Sequence, residues 1–183
     1  MEKGGGGMKK AFVITALLLM GSCGDTTGPS GTEGWNDYTT DDVVFQWRVE
    51  NDGATLHVKL SAPTTGWVAV GFDPSVMMKD ANFIIGYVED GTGFIRDDFG
   101  TGVTTHEADI VLGGNSNVTL IEAGETGNKT EIDFSIPMSS GDLYDAVLTQ
   151  GETYAILLAY GPSGGDDFTS AHQFVRAVSL ELL

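Results

Sequence analysis

The sequence predicts an all-β domain, an antiparallel β-sandwich of immunoglobulin-like type with about 9–11 strands. Two patterns carry that expectation. From Val43 onward apolar residues recur at every second position rather than every 3.6, and clusters of Gly, Asn and Asp punctuate the chain at strand-length intervals. At 183 residues the chain is long enough for one core and too short for two comfortable ones.

Residues 24–40, GDTTGPSGTEGWNDYTT, are rich in Gly, Thr, Ser and Asp without apolar periodicity, and are expected to be a tether ending near Trp35. In VVFQWRVE, Val43, Phe45, Trp47 and Val49 alternate with Val44, Gln46, Arg48 and Glu50, the pattern of a half-buried strand. The triplet NDG at 51–53 tolerates positive φ and reads as a hairpin turn. It leads into TLHVKL, with Leu56, Val58 and Leu60 inward and His57 and Lys59 outward. Strand-length runs follow at 66–72, 82–90, 93–99, 117–125, 129–136, 153–161 and 173–182, separated by turns such as DGTG and GETGN. GWVAVGF and YAILLAYG are apolar almost throughout, so both faces are expected to be covered, inside a sandwich or along a ligand cavity. A single helical turn is expected within MSSGDLYDAVL.

Ahead of the domain, Lys9-Lys10, the run AFVITALLLM and the small residues Gly21 and Ser22 form a signal-peptide layout, too short for a mature membrane span. LLMGSC resembles the lipobox of bacterial lipoproteins, with Met20 where leucine is usual. That resemblance implies cleavage before Cys23 and its acylation. The expected division is a lipoprotein signal peptide at 1–22, an acylated cysteine and tether at 23–40, and the sandwich at 41–183. The domain would then be lipid-anchored on the bacterial cell envelope, facing the periplasm or the exterior. An ordinary secreted protein with a cysteine beside its cleavage site is the other reading, and MEKGGGG ahead of Met8 fits neither.

Cys23 is the sole cysteine, which excludes an internal disulfide and a CxxCH haem attachment. The formal charge is −17; loss of residues 1–22 removes Lys3, Lys9, Lys10 and Glu2, taking 26 acidic and 9 basic groups to 25 and 6, a charge of −19. Such a surface repels nucleic acid and anionic headgroups, and suits a domain held by acyl chains or a partner presenting a basic patch.

Hydrolytic chemistry is poorly supported, since the sequence has no GxSxG elbow and no cysteine for a Cys-His pair. No carboxylate stands in an apolar setting suited to a glycosidase acid, and Asp97-Asp98 and Asp166-Asp167 read as solvated turn or capping residues. A calcium site at such a pair would lack the ligand spacing of an EF-hand loop. His57 and His106 read as exposed, with no HxH or HExxH cluster for zinc. His172 stands at the entrance of the last strand, and Met77 and Met78 at the mouth of another. Taken alone these are structural residues; a thioether and an imidazole sharing one pocket are instead the pair that holds haem iron in some cytochromes.

Five segments in order, GWVAVGF, MMKDANFIIGYV, FIRDDF, KTEIDFSIP and AILLAYGPSGGDDFTSAHQFVRAVSLEL, resemble the DOMON domain across roughly residues 40–183. The resemblance implies a β-sandwich that binds haem b or sugars. Haem-binding members, such as the cytochrome domain of cellobiose dehydrogenase and plant auxin-responsive cytochromes b, use a methionine from an M-x-x-A-D segment and a histidine from an A-Y-G…H segment. Met78 and His172 take those places, and Met77, one residue out of register, is expected to be packing that points elsewhere. Asn82 and Ala171 depart from the family pattern, where an aspartate and an aromatic are frequent.

The resemblance thus implies a non-covalent haem b with axial ligands Met78 and His172, passing single electrons to a redox partner rather than catalysing a reaction. Trp67 and Phe83, with Val70, Phe72, Ile85 and Phe174, would bury the ring. Arg176 would meet a haem propionate or a surface carboxylate. The alternatives are a haem-free module binding a carbohydrate or other small ligand, with Trp35, Trp47 or Tyr87 as stacking surfaces, and a domain that docks on a partner enzyme.

Overall fold

A computed structural model describes Met1 and residues 34–51 and 53–183. Cys23, the lipobox and the signal-peptide segment lie outside the described residues. Eleven strands form: β1 (Asn36–Thr40), β2 (Val43–Glu50), β3 (Thr55–Ala62), β4 (Val68–Phe72), β5 (Asn82–Glu89), β6 (Thr92–Gly102), β7 (Thr105–Ala108), β8 (Thr119–Thr126), β9 (Lys129–Pro137), β10 (Thr153–Tyr160) and β11 (Phe174–Glu181). One short helix, α1 (Asp109–Leu112), follows β7. Two antiparallel sheets result, ordered β1-β2-β3-β9-β8 and β11-β10-β4-β5-β6-β7.

The alternation seen in the sequence builds the core between them. Phe45 pairs in register with Leu60, Trp47 with Val58, and Val58 with Phe134, so these side chains share the inner face of the five-stranded sheet. Opposite them Ile156 pairs with Phe72, and Leu158 with Val70, which in turn faces Ile84. Phe45, Phe72, Phe134, Leu60, Ile84 and Leu158 are wholly buried. The hairpins use the positive φ that the sequence offered, with Asn51 at 53° and Gly53 at 87°, and Asp90 at 50° and Gly91 at 75°.

Several expectations need correction. The sandwich begins with β1, inside the segment read as tether; NDYTT is a polar edge strand whose exposure alternates, so its apolar signal is weak. The helical turn lies at Asp109–Leu112, not within MSSGDLYDAVL. There, Ser140 Oγ accepts the Asp142 N–H at 2.9 Å, and Asp142 Oδ1 accepts the Tyr144 N–H at 3.0 Å, so side chains supply the partners a helix ladder would have used. β7 was not anticipated.

His57 does point away from the core as its alternation requires, yet it is buried. Trp35 packs edge-on over its ring at 4.8 Å, while Glu50 Oε1 and Asp133 Oδ1 lie 2.9 and 2.5 Å from its two nitrogens. Among the described residues no helix is long and apolar enough to cross a membrane.

Candidate functional site

A sheet with one face in the core ordinarily turns polar residues outward. The six-stranded sheet does not. Its outer face carries Leu157 and Ala159 of β10, Ala69 of β4, and Phe83 and Ile85 of β5, which with Trp67 and Ala81 make a second buried apolar cluster, separate from the main core. Two connections cover it, residues 73–81 and residues 161–173, and Met78 and Phe168 from them pack on the cluster.

Glycines let the aromatic rings lie close to the sheet. A Cβ at Gly71 would collide with the Phe83 ring, and one at Gly161 with the Trp67 indole. Trp67 is fixed from its polar end, where Nε1 donates to Ser170 Oγ at 2.8 Å. Asp167 Oδ1 in turn accepts the N–H groups of Thr169 and Ser170, each at 2.6 Å, which shapes the loop that leads to His172. Asp167 is thus the capping residue the sequence suggested.

Between the two connections lies a cavity of about 480 Å³, a size suited to a small ligand or cofactor. Met78, His172, Trp67, His106, Leu157 and Val175 line it, and the same six line a smaller recess of about 60 Å³ that also reaches Phe83 and Ile85. The structure therefore brings Met78 and His172 to one apolar hollow, with Trp67 and Phe83 in its wall. The thioether and imidazole, set in an aromatic and aliphatic lining, match the donor set and the surroundings that a haem requires.

Met77 and Met78 occupy a tight turn in which the Lys79 N–H donates to the Val76 carbonyl at 3.0 Å. Met77 adopts φ 52° and is 63% exposed at the rim, so it is not the core filler expected of it. The turn is pressed onto Gly100, where a Cβ would strike the Met78 carbonyl, and the Asp80 N–H donates to the Gly100 carbonyl at 2.8 Å.

Arg176 does not join the cavity. Its neighbours Val175 and Ala177 do, and alternation sends Arg176 to the other face, where it donates to Asp41 Oδ2 at 2.8 Å. Val70, Phe72 and Phe174 likewise belong to the main core. Asp97 and Asp98 are buried within β6 rather than solvated in a turn.

His106 was read as a surface residue, yet it lines both hollows. Its Nδ1 lies 2.5 Å from Asp98 Oδ2, and Arg96 donates to both oxygens of the same carboxylate, at 2.5 and 2.6 Å. Burial pushes the Asp98 carboxyl up, but the hydrogen bonds from His106 and Arg96 outweigh it and hold the group below the ordinary aspartate value. With Asp98 ionised, Nδ1 of His106 is the donor in this hydrogen bond. The period-two pattern placing Arg96 and Asp98 on one face of β6 was the only sequence signal for this group.

The aromatics considered as stacking surfaces fall on three different surfaces. Trp47 is stacked on Phe45 in the main core, Trp35 covers the outer face of the five-stranded sheet, and Tyr87 packs against Phe94 and Phe168 on the outer face of the six-stranded one. A polar hollow of about 370 Å³ near Lys59, Glu131 and Asp133 lies away from the Met78 cavity.

Fold and site together define a β-sandwich module with a cavity built on the outside of one sheet. The chain belongs to the DOMON domain family, whose model matches residues 39–161. It is 26% identical over 139 residues to DBH-like monooxygenase protein 2 of Mus musculus, covering 75% of this chain and 22% of that protein. It is 27% identical over 132 residues to DBH-like monooxygenase protein 1 of the same organism, covering 72% and 21%. The chain thus spans about a fifth of the length of these curated relatives. Among solved structures it is similar to the cytochrome b domain of pyranose dehydrogenase from Coprinopsis cinerea (TM-score 0.60, 12% identity, 80% of each chain). It is also similar to the cytochrome domain of Myriococcum thermophilum cellobiose dehydrogenase (TM-score 0.62, 10% identity, 81% of this chain and 83% of that one). At those identities the likeness is one of fold.

Proposed function

We propose that the domain is a b-type cytochrome module, tethered outside the cytoplasmic membrane through acylated Cys23, that holds one non-covalent haem and passes single electrons. The observation that carries this reading is the convergence of Met78 and His172, far apart in sequence, on one apolar cavity. The resemblance in fold to two cytochrome domains supports it. A bound haem b would supply the one-electron couple, and Met/His ligation favours a raised reduction potential.

The chain's own residues would do the rest. Trp67, Phe83, Ile85 and Leu157 exclude water from the pocket, lowering the local dielectric and favouring the form of the site with less net charge. Met78 and His172 would both be committed to holding the haem, which would leave substrate no place on the iron and favour electron transfer over catalysis. The acidic surface would select a partner that presents basic residues.

The test is spectroscopic. The chain from residue 24 onward, produced with haem available, is expected to give a low-spin haem b spectrum in both oxidation states. Met78→Ala should lose its axial signature, whereas Met77→Ala should keep it. A protein that stays colourless after reconstitution would sink the cytochrome reading and leave a haem-free carbohydrate or small-ligand module at the same cavity.

A further inference from the structure

On the opposite side of the six-stranded sheet from the cavity, acidic side chains converge with no opposing charge. Asp97 of β6, Asp109 at the start of α1 and Asp145 between β9 and β10 place carboxylate oxygens within 4.8 Å of one another. Asp97 is 2% exposed and Asp109 is fully buried. Among the described residues none of the ion pairs involves any of the three.

Hydrogen bonds satisfy only part of the group. The Asn117 backbone N–H donates to Asp97 Oδ2 at 2.7 Å, and Asn82 Nδ2 donates to Asp145 Oδ1 at 2.7 Å. Six buried oxygens are left without a partner: Asp97 Oδ1, both oxygens of Asp109, Asp145 Oδ2, and the amide oxygens of Asn82 and Asn117. Asn82 is an independent sign of a missing ligand, being a neutral side chain, 4% exposed, whose nitrogen is committed to the cluster while its oxygen has no donor.

Burial, reinforced by the neighbouring carboxylates, raises Asp109 to about 7, and burial raises Asp97 to about 8 despite the Asn117 hydrogen bond. A carboxyl kept protonated can donate to a neighbouring oxygen, so protonation is the competing way to satisfy the group. A cation held among Asp97, Asp109 and Asp145 would instead stabilise the ionised carboxylates and offset their mutual repulsion.

The donors identify its class. All are oxygens, mixed between carboxylate and amide, with no imidazole or thiolate among them, which is the choice of a hard cation. Calcium takes 6–8 oxygens at about 2.3–2.6 Å, so two ligands on opposite sides of one ion stand about 4.6–5.2 Å apart. Carboxylate oxygens within 4.8 Å of one another are close enough to share that sphere. Magnesium would need a tighter octahedron, about 4.0–4.2 Å across, and holds its waters.

We propose that Asp97, Asp109 and Asp145, with the amide oxygens of Asn82 and Asn117, form a calcium-binding site. The ion joins β5, β6, α1, the connection into β8 and the segment between β9 and β10. Neighbouring contacts already gather the same segments, since the Tyr144 hydroxyl donates to the Leu112 carbonyl at 3.0 Å and Asp142 accepts the Asn115 N–H at 2.6 Å. The site is independent of whatever fills the cavity.

The full chain, stripped with a chelator, is titrated with calcium chloride at neutral pH by calorimetry and followed by thermal denaturation, with magnesium chloride as the comparison. One calcium per chain is expected, with Tm higher by about 5–10 °C at a hundredfold excess over Kd, and a much weaker response to magnesium. Asp109→Asn should abolish that calcium-dependent rise while its calcium-free Tm and near-ultraviolet circular dichroism remain native-like, because it removes a buried charge. For folded wild-type protein, lack of stoichiometric binding would overturn the proposal. So would an equal response to magnesium, or an undiminished calcium shift in a folded Asp97→Asn/Asp109→Asn variant.

Discussion

At the scale of single residues, the cavity poses a choice between two imidazoles. His172 lies at its exposed mouth, while His106 is held by Asp98 through Nδ1 and has no hydrogen-bond partner at Nε2 among the described residues. If His172 is the axial ligand, His172→Ala should lose the low-spin haem spectrum and His106→Ala should retain it; the opposite pattern would move the assignment to His106. That Met78 and His172 line one cavity was legible because their motif spacing resembles that of a known family. His106 was not, since a histidine in a polar stretch becomes a pocket residue only through its tertiary partner. Arg176 was misplaced for a more local reason. In FVRAVSLE apolar residues occupy both phases of the alternation, so the sequence does not say which phase faces the cavity.

Whole elements were easier to recognise than their surroundings. The strands β2, β3, β4, β5, β9 and β10 follow from periodicity and turn residues, because each buries a run of apolar side chains. The short edge strands β1 and β7 bury little and left little trace. Phe134 of β9, wholly buried opposite Val58, is the anchor of its strand. Phe134→Ala should cost about 3–5 kcal/mol in denaturant titration, against about 0.5 kcal/mol or less for Ile121→Ala on the exposed part of β8.

The strand pair β2–β3 also carries a pH dependence. The hydrogen bond from His57 holds Glu50 below its ordinary 4.5; burial opposes this and Arg48 adds to it. Asp133 and Lys59 flank the same cluster. A carboxylate with a depressed folded pKa stabilises the fold above its unfolded pKa and loses that contribution as pH falls through the folded one. The stability gap between wild type and Glu50→Gln should therefore hold steady above about pH 5 and close in the acid range below 4.5. A gap that instead widened on acidification would contradict the sign.

For the molecule as a whole the dominant feature is charge. With 26 acidic against 9 basic side chains, the field should draw cationic redox partners toward the surface. The haem-loaded protein should accordingly reduce a cationic small-molecule acceptor faster than an anionic one of equal potential. Stopped-flow rates in rising salt should show that advantage shrinking as the Debye length falls to about 3 Å at 1 M. Composition made this property visible at once, whereas the face bearing the cavity emerged only from the packing of the two covering connections.

The first and last strands meet along one side of the sandwich. Arg176 of β11 bonds Asp41 beside β1, and the Asn36 side chain donates to the Leu183 carbonyl at 2.9 Å. Entry and exit of the described domain are therefore neighbours. A module with adjoining ends can be spliced into a longer polypeptide as a cassette, or circularly permuted, without moving the parts on either side of it.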